Sequence, residues 1–124
     1  MARALALGLA LAMSGTPGAT RAAELLMFES AGCGWCERWH EELGPIYPKT
    51  AESRVAPLRR VDLHSPRPDG LEALRGVSFT PTFVLMHDGE EIGRITGYAG
   101  DEFFWFQLDT LLEKLPDGIR EGGS

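Results

Sequence analysis

The sequence predicts an α/β fold: a mixed four-stranded sheet with flanking helices, in the order β-α-β-(α)-β-β-α. Three observations predict it. Short apolar runs of strand length alternate with stretches whose apolar residues fall three and four apart. A turn pair, Asp88-Gly89, separates two of the strand-like runs. The chain that follows an N-terminal leader has the length of one domain with one core.

The leader comes first. "MARALALGLALAMSG" has one early positive charge, Arg3, then an apolar run from Ala4 to Met13, and small residues with a proline follow in "TPGATRAA". This pattern predicts a secretory signal peptide over residues 1–22, with an uncleaved amphipathic anchor as the other reading. The apolar run falls short of the ~20 residues that a membrane-spanning helix needs. The domain is then assigned to residues 23–115 and a mobile polar tail to 116–124. Residues 1–23 hold Arg3 and Arg21 and no acid, which leaves 10 basic against 18 acidic residues and a net charge near −8. An acidic balance without a Lys/Arg run argues against nucleic acid and anionic lipid as partners.

"ELLMFE", Glu24–Glu29, is a continuous apolar run of strand length. A helix is predicted from Gly34 to about Tyr47, because Cys36, Trp39, Leu43 and Ile46 form one stripe. Pro45 lacks the N–H that the carbonyl of Glu41 would need, so a kink or an early end is expected there. Ala56–His64 is the second strand, with Leu58, Val61 and Leu63 as its apolar members. "SPRPDG" is turn chemistry, and "LEALRG" is at most a short helix ended by Gly76. Thr82–His87 and Glu91–Thr96 form a hairpin about Asp88-Gly89, with Gly93 marking a bulge or a close contact. Asp101 is a suitable N-cap for a last helix with Phe104, Leu108, Leu111 and Leu115 on its buried stripe, ended by Pro116 and Gly118.

The chemistry concentrates in "ESAGCGWCERWH", which holds both cysteines, Cys33 and Cys36. Haem attachment needs His directly after the second Cys, and Glu37 stands there. A structural zinc site needs four ligands, whereas the chain offers two Cys with His40, His64 and His87. A three-ligand site from Cys33, Cys36 and His40 stays conceivable. A staple across two intervening residues closes almost no loop and gives little stability. A redox couple explains the spacing directly. A helix starting near Gly34 puts Cys33 at its N-terminal edge and Cys36 one turn further in. Unpaired N–H groups and the partial positive charge there favour a Cys33 thiolate, which would attack a partner disulfide, and Cys36 would resolve the adduct.

With its strand, "CGWC", the helix after it and "SFTPTFVLMHDGEEIGRITG", the chain resembles the thioredoxin family over most of residues 23–115. That resemblance implies a cis Thr80-Pro81 bond beside the cysteine pair, with the backbone of Thr80 pairing an extended substrate segment. More narrowly, "CGWCERWHEELGPIYPKT" with "APLRRVDLH" is similar to the exported thioredoxin-like proteins of bacterial sulfur-oxidation (Sox) systems. This implies a periplasmic reductase. Its partner would be a protein disulfide or persulfide on a sulfur-carrier protein, and a membrane donor would supply its electrons. It implies no cofactor and no metal. In thioredoxin a buried acid lies below the resolving cysteine; here that position is Met27, and Glu29 is nearer but expected at the wetter strand end. Gly32 and the Gly-Trp pair also depart from the thioredoxin pattern. With Glu29 and Glu37 nearby, Cys33 is expected to be moderately activated, without the extreme thiolate stabilisation of a strong oxidant.

The alternatives are a disulfide oxidase or isomerase, and a metal-binding regulatory module using Cys33, Cys36 and His40. No dimerisation region is evident, so a monomer is expected. Trp35 lies between the cysteines, where burial is difficult, and is expected to contact substrate. In "FFWF", Phe103–Phe106, only Phe104 fits the buried stripe. The others are expected against the sheet edge and chain end, or as a docking patch.

Overall fold

The computed structural model describes Gly8 and residues 23–121. Apart from Gly8, the expected signal peptide lies outside the described residues. The elements are β1 (Glu24–Glu29), α1 (Gly34–Glu42), a 3-10 turn (Tyr47–Lys49), α2 (Ala51–Val55), β2 (Leu58–Asp62), β3 (Thr82–His87), β4 (Glu90–Thr96), α3 (Asp101–Leu112) and α4 (Asp117–Glu121). The four strands form one mixed sheet in the order β2-β1-β3-β4. β1 pairs parallel with β2, while β1 with β3 and β3 with β4 are antiparallel.

The continuous apolar run of β1 is explained by its place at the centre of the sheet, buried on both faces. Alternate residues divide between two clusters. Leu25 and Met27 join Phe83, Leu85 and Ile95 under α1 and α3. Leu26 and Phe28 join Val84, Met86 and Val61 on the opposite face. That second face is not covered by the short helix expected at "LEALRG". Residues 71–76 hold only a turn at Glu72–Ala73, and Gly70 and Gly76, both at positive φ, break the helical path at either end. Leu71 and Leu74 still seal the face by packing into its cluster.

α1 ends at Glu42, earlier than the predicted limit near Tyr47. The Gly44 N–H donates to the carbonyls of Trp39 and His40, 3.1 Å each, and closes the helix one residue before Pro45. A Cβ at Gly44 would collide with the His40 carbonyl, so only glycine suits this stop. α2 follows, capped by the Thr50 hydroxyl on the Ser53 N–H at 3.1 Å.

The hairpin turn sits on Asp88 (φ 51°) and Gly89 (φ 75°), as the residue pair demands. Register shifts between Leu85 and Met86 because β4 carries one extra residue, Ile92, beside Gly93. Gly93 is also a close contact, since a Cβ there would strike the Leu111 side chain of α3. The expected cap at Asp101 is displaced by one residue. Gly100, at φ 111°, occupies the N-cap, and Asp101 opens the helix with its carboxylate on the Glu102 N–H. The segment expected as a mobile polar tail from 116 instead forms α4 through Glu121. Ile119 packs on the core, and Arg120 pairs with Asp117.

Candidate functional site

Cys33 and Cys36 are disulfide-bonded, with their Cα atoms 5.2 Å apart. Extended backbone at Cys33 makes it the N-cap of α1, and its Sγ accepts from the Cys36 N–H at 3.1 Å. The helix terminus therefore points an N–H group and its partial positive charge at this sulfur. The two cysteines differ in access. Cys33 is half-buried, whereas Cys36 is 2 % exposed and packs in the cluster that holds Met27 and Trp39.

The loops on either side converge here. β1 delivers Ser30 to the start of the cysteine loop, and β3, its neighbour, begins just after Pro81. The hydroxyls of Ser30 and Thr80 are 3.0 Å apart, which ties the Thr80–Pro81 segment to the cysteine loop. The Thr80-Pro81 bond is cis. Pro81 is buried, Thr80 is half-buried, and Phe79 beside them is largely exposed. Trp35 is 56 % exposed on the other side of the pair, with the Arg38 guanidinium 5.4 Å from its ring centroid.

Below the disulfide lies an open cleft of about 420 Å³ between the ends of β1, β2 and α1, lined by both cysteines and by Glu29, Glu37, His40, Arg60 and Asp62. Glu29 corrects the sequence reading. It was expected to be wet, yet its side chain is only 15 % exposed, because Arg60 and His40 close over it. Arg60 donates from Nε to Oε2 at 2.5 Å and from Nη2 to Oε1 at 3.0 Å, and His40 Nε2 lies 3.0 Å from Oε1. Burial pushes the Glu29 carboxyl up. The hydrogen bonds and charges of Arg60 and His40 outweigh burial and hold it below the ordinary value.

This cluster was not legible as a unit. Glu29 is opposite Asp62 in the register, so Arg60, opposite Met27, meets it on the diagonal of the same face. His40 completes it from α1, where the sequence offered it as the third ligand of a conceivable metal site. A basic residue two before a strand's end, next to an acid at its neighbour's end, is the signal that could have found the pair. Met27 is fully buried below Cys36, as the resemblance implied.

A depressed carboxylate contributes stability that is present above its unfolded value, near 4.5, and lost as pH falls through the folded value. Arg60→Ala is expected to cost about 1 kcal/mol at pH 7, a charge-assisted bond discounted because Arg60 is 64 % exposed. The deficit should shrink below pH 4.5, as urea denaturation at pH 7 and in acid will measure.

Comparison with known proteins agrees with this geometry. The family described as a thioredoxin-like domain matches residues 9–112. The chain is similar to the periplasmic thioredoxin SoxS from Paracoccus pantotrophus, solved in its reduced form: 50 % identity, 74 % of this chain and 97 % of that one covered, TM-score 0.71. The thioredoxin Mala s 13 of Malassezia sympodialis matches at 22 % identity over 72 % of this chain and 74 % of that one, with a TM-score of 0.54. Fasciola hepatica thioredoxin does so at 22 % over 71 % and 79 %, with a TM-score of 0.55. These two likenesses show the fold alone. No curated protein sequence matches the chain.

Proposed function

Since the chain belongs to the thioredoxin-like family and is a thiol–disulfide oxidoreductase, we propose that it is an exported, periplasmic reductase that keeps the reactive cysteine of a sulfur-carrier protein reduced. Cys33 attacks the partner's disulfide or persulfide, Cys36 resolves the mixed disulfide, and a donor at the membrane returns two electrons to the pair. Similarity to a periplasmic thioredoxin named SoxS supports the compartment, and the resemblance to the thioredoxin-like proteins of Sox systems implies the class of partner.

The observation that carries the direction is the acidic lining of the cleft. Glu37 and Asp62 border the cysteines, and the one arginine among the lining residues is neutralised by Glu29. Acids near Cys33 oppose its thiolate, while strong oxidants depend on a stabilised thiolate in their reduced form. A reduced pair in this setting gives up its electrons readily. The expected reduction potential lies below about −200 mV, on the thioredoxin side of the scale.

Trapping tests the reading. Reduced Cys36→Ser protein is expected to form one predominant disulfide adduct with a cysteine-bearing carrier from the exported fraction of sulfur-oxidising cells, released by dithiothreitol. No adduct, with Cys33 shown open to alkylation, sinks the redox reading. A potential near −120 mV, that of a strong oxidase, reverses its direction.

On this reading Trp35 contacts the partner, and the edge of Thr80, before cis Pro81, pairs with the partner's extended backbone. Trp35→Ala is expected to slow carrier reduction about tenfold while moving stability by no more than ~0.5 kcal/mol, the usual range for an exposed side chain. Paired kinetics and denaturation curves compare the two. A stability loss without a rate loss assigns Trp35 to packing.

A further inference from the structure

Resolution by Cys36 requires its thiolate, because the thiol is not the nucleophile. Met27, packed with Cys36 in one apolar cluster, cannot take the proton. The charged and titratable groups lining the cleft that Cys36 borders come from three elements: Glu29 of β1, Arg60 and Asp62 of β2, and Glu37 and His40 of α1. Carboxylic acids are ~4 pH units more acidic than a thiol, whereas an imidazolium is only ~2, so imidazole is much the better base for this transfer. Glu29 is further weakened as a base by its bonds from Arg60.

His40 follows Cys36 by four residues, which places both on one face of α1. Helical side chains lean toward the N-terminus, so the ring of His40 inclines over the turn that carries Cys36. Its Nε2 faces Oε1 of Glu29 at 3.0 Å. An ionised carboxylate only accepts, so in the neutral ring Nε2 carries the proton and Nδ1 is the acceptor. We infer that His40, held by Glu29 and Arg60, is the general base that removes the Cys36 proton during resolution.

The inference rests on the reductase reading above. The Cys36 proton passes to Nδ1 of His40, and the Cys36 thiolate attacks Sγ of Cys33. The bond from Cys33 to the partner sulfur breaks, and the Cys33–Cys36 disulfide forms. The partner sulfur leaves with the electron pair as a thiolate. Two electrons have then moved from the cysteine pair to the partner, and the imidazolium releases its proton to solvent through its exposed edge. Glu29 and Arg60 are positioning residues, since they act through the ring.

Rapid mixing of the reduced protein with dithiobis(nitrobenzoate) tests this. One coloured thiolate is released when Cys33 attacks and a second when Cys36 resolves, and neither leaving group needs a proton. His40→Gln is expected to keep the first phase within about twofold of wild type and to slow the second about 10²-fold. The second phase of the wild type should rise with pH along a limb that vanishes in the variant. Free imidazole should restore the second phase to His40→Ala, because the cleft is open. An unaltered second phase, equal slowing of both phases or failure of the rescue overturns the assignment. A wild-type protein that releases neither thiolate refutes the redox reading itself, which keeps the two failures apart.

Discussion

Cys33→Ser will abolish disulfide reduction, with turnover falling on the order of a thousandfold or more, as expected when a covalent nucleophile is lost. The chain has two cysteines, and only Cys33 combines access with the N-terminal end of α1. Cys36 cannot substitute for it. It is one turn inside the helix and packed in the core cluster, so a partner sulfur cannot line up with it for displacement. The two serine variants should therefore fail differently. Cys36→Ser still makes the first bond and stalls as a mixed disulfide, whereas Cys33→Ser forms none. Stability should move little in either, because a bridge over two intervening residues removes little chain entropy. Mass spectrometry of each variant after exposure to a disulfide peptide checks the asymmetry. A stable adduct on Cys36 in the Cys33→Ser protein would reverse the assigned roles.

How much of this was legible in the sequence follows from how local each cause is. The hairpin was readable because Asp88-Gly89 carries its own turn geometry, and β3 has the predicted bounds. The cysteine pair and its helix terminus were readable because four consecutive residues define them. α2 was not, since five residues are too few for a period and its cap lies in a single Thr50 hydroxyl. "LEALRG" misled in the opposite sense: it read as at most a short helix ended by Gly76, yet Leu71 and Leu74 serve as two apolar plugs beside a turn. The Glu29–Arg60–His40 cluster needed the parallel register of β1 with β2 and the placement of α1 over both, and no local pattern encodes either.

The largest stability effect is expected at Phe104. Phe104→Ala should lower unfolding free energy by about 3–5 kcal/mol, the range for truncating a buried aromatic ring. In a domain whose whole margin is about 5–15 kcal/mol, that is a large share. The reason lies in what the ring joins. It is 1 % exposed and projects from α3 between Phe83 of β3, at 4.9 Å between centroids, and Trp39 of α1, at 5.6 Å. Tyr47 and Tyr98 close the cluster at 6.4 Å each. Removing it leaves a void bounded by rings fixed on separate elements, which cannot all collapse inward together. Its neighbours in "FFWF" provide the control. Phe103 and Phe106 are exposed, so Phe106→Ala should stay within ~0.5 kcal/mol of wild type. Urea denaturation of the two variants separates these cases. A cost below 1 kcal/mol for Phe104→Ala would mean that α3 is held by its leucines, with Leu108 and Leu111 as the anchors, and that the ring cluster only fills space.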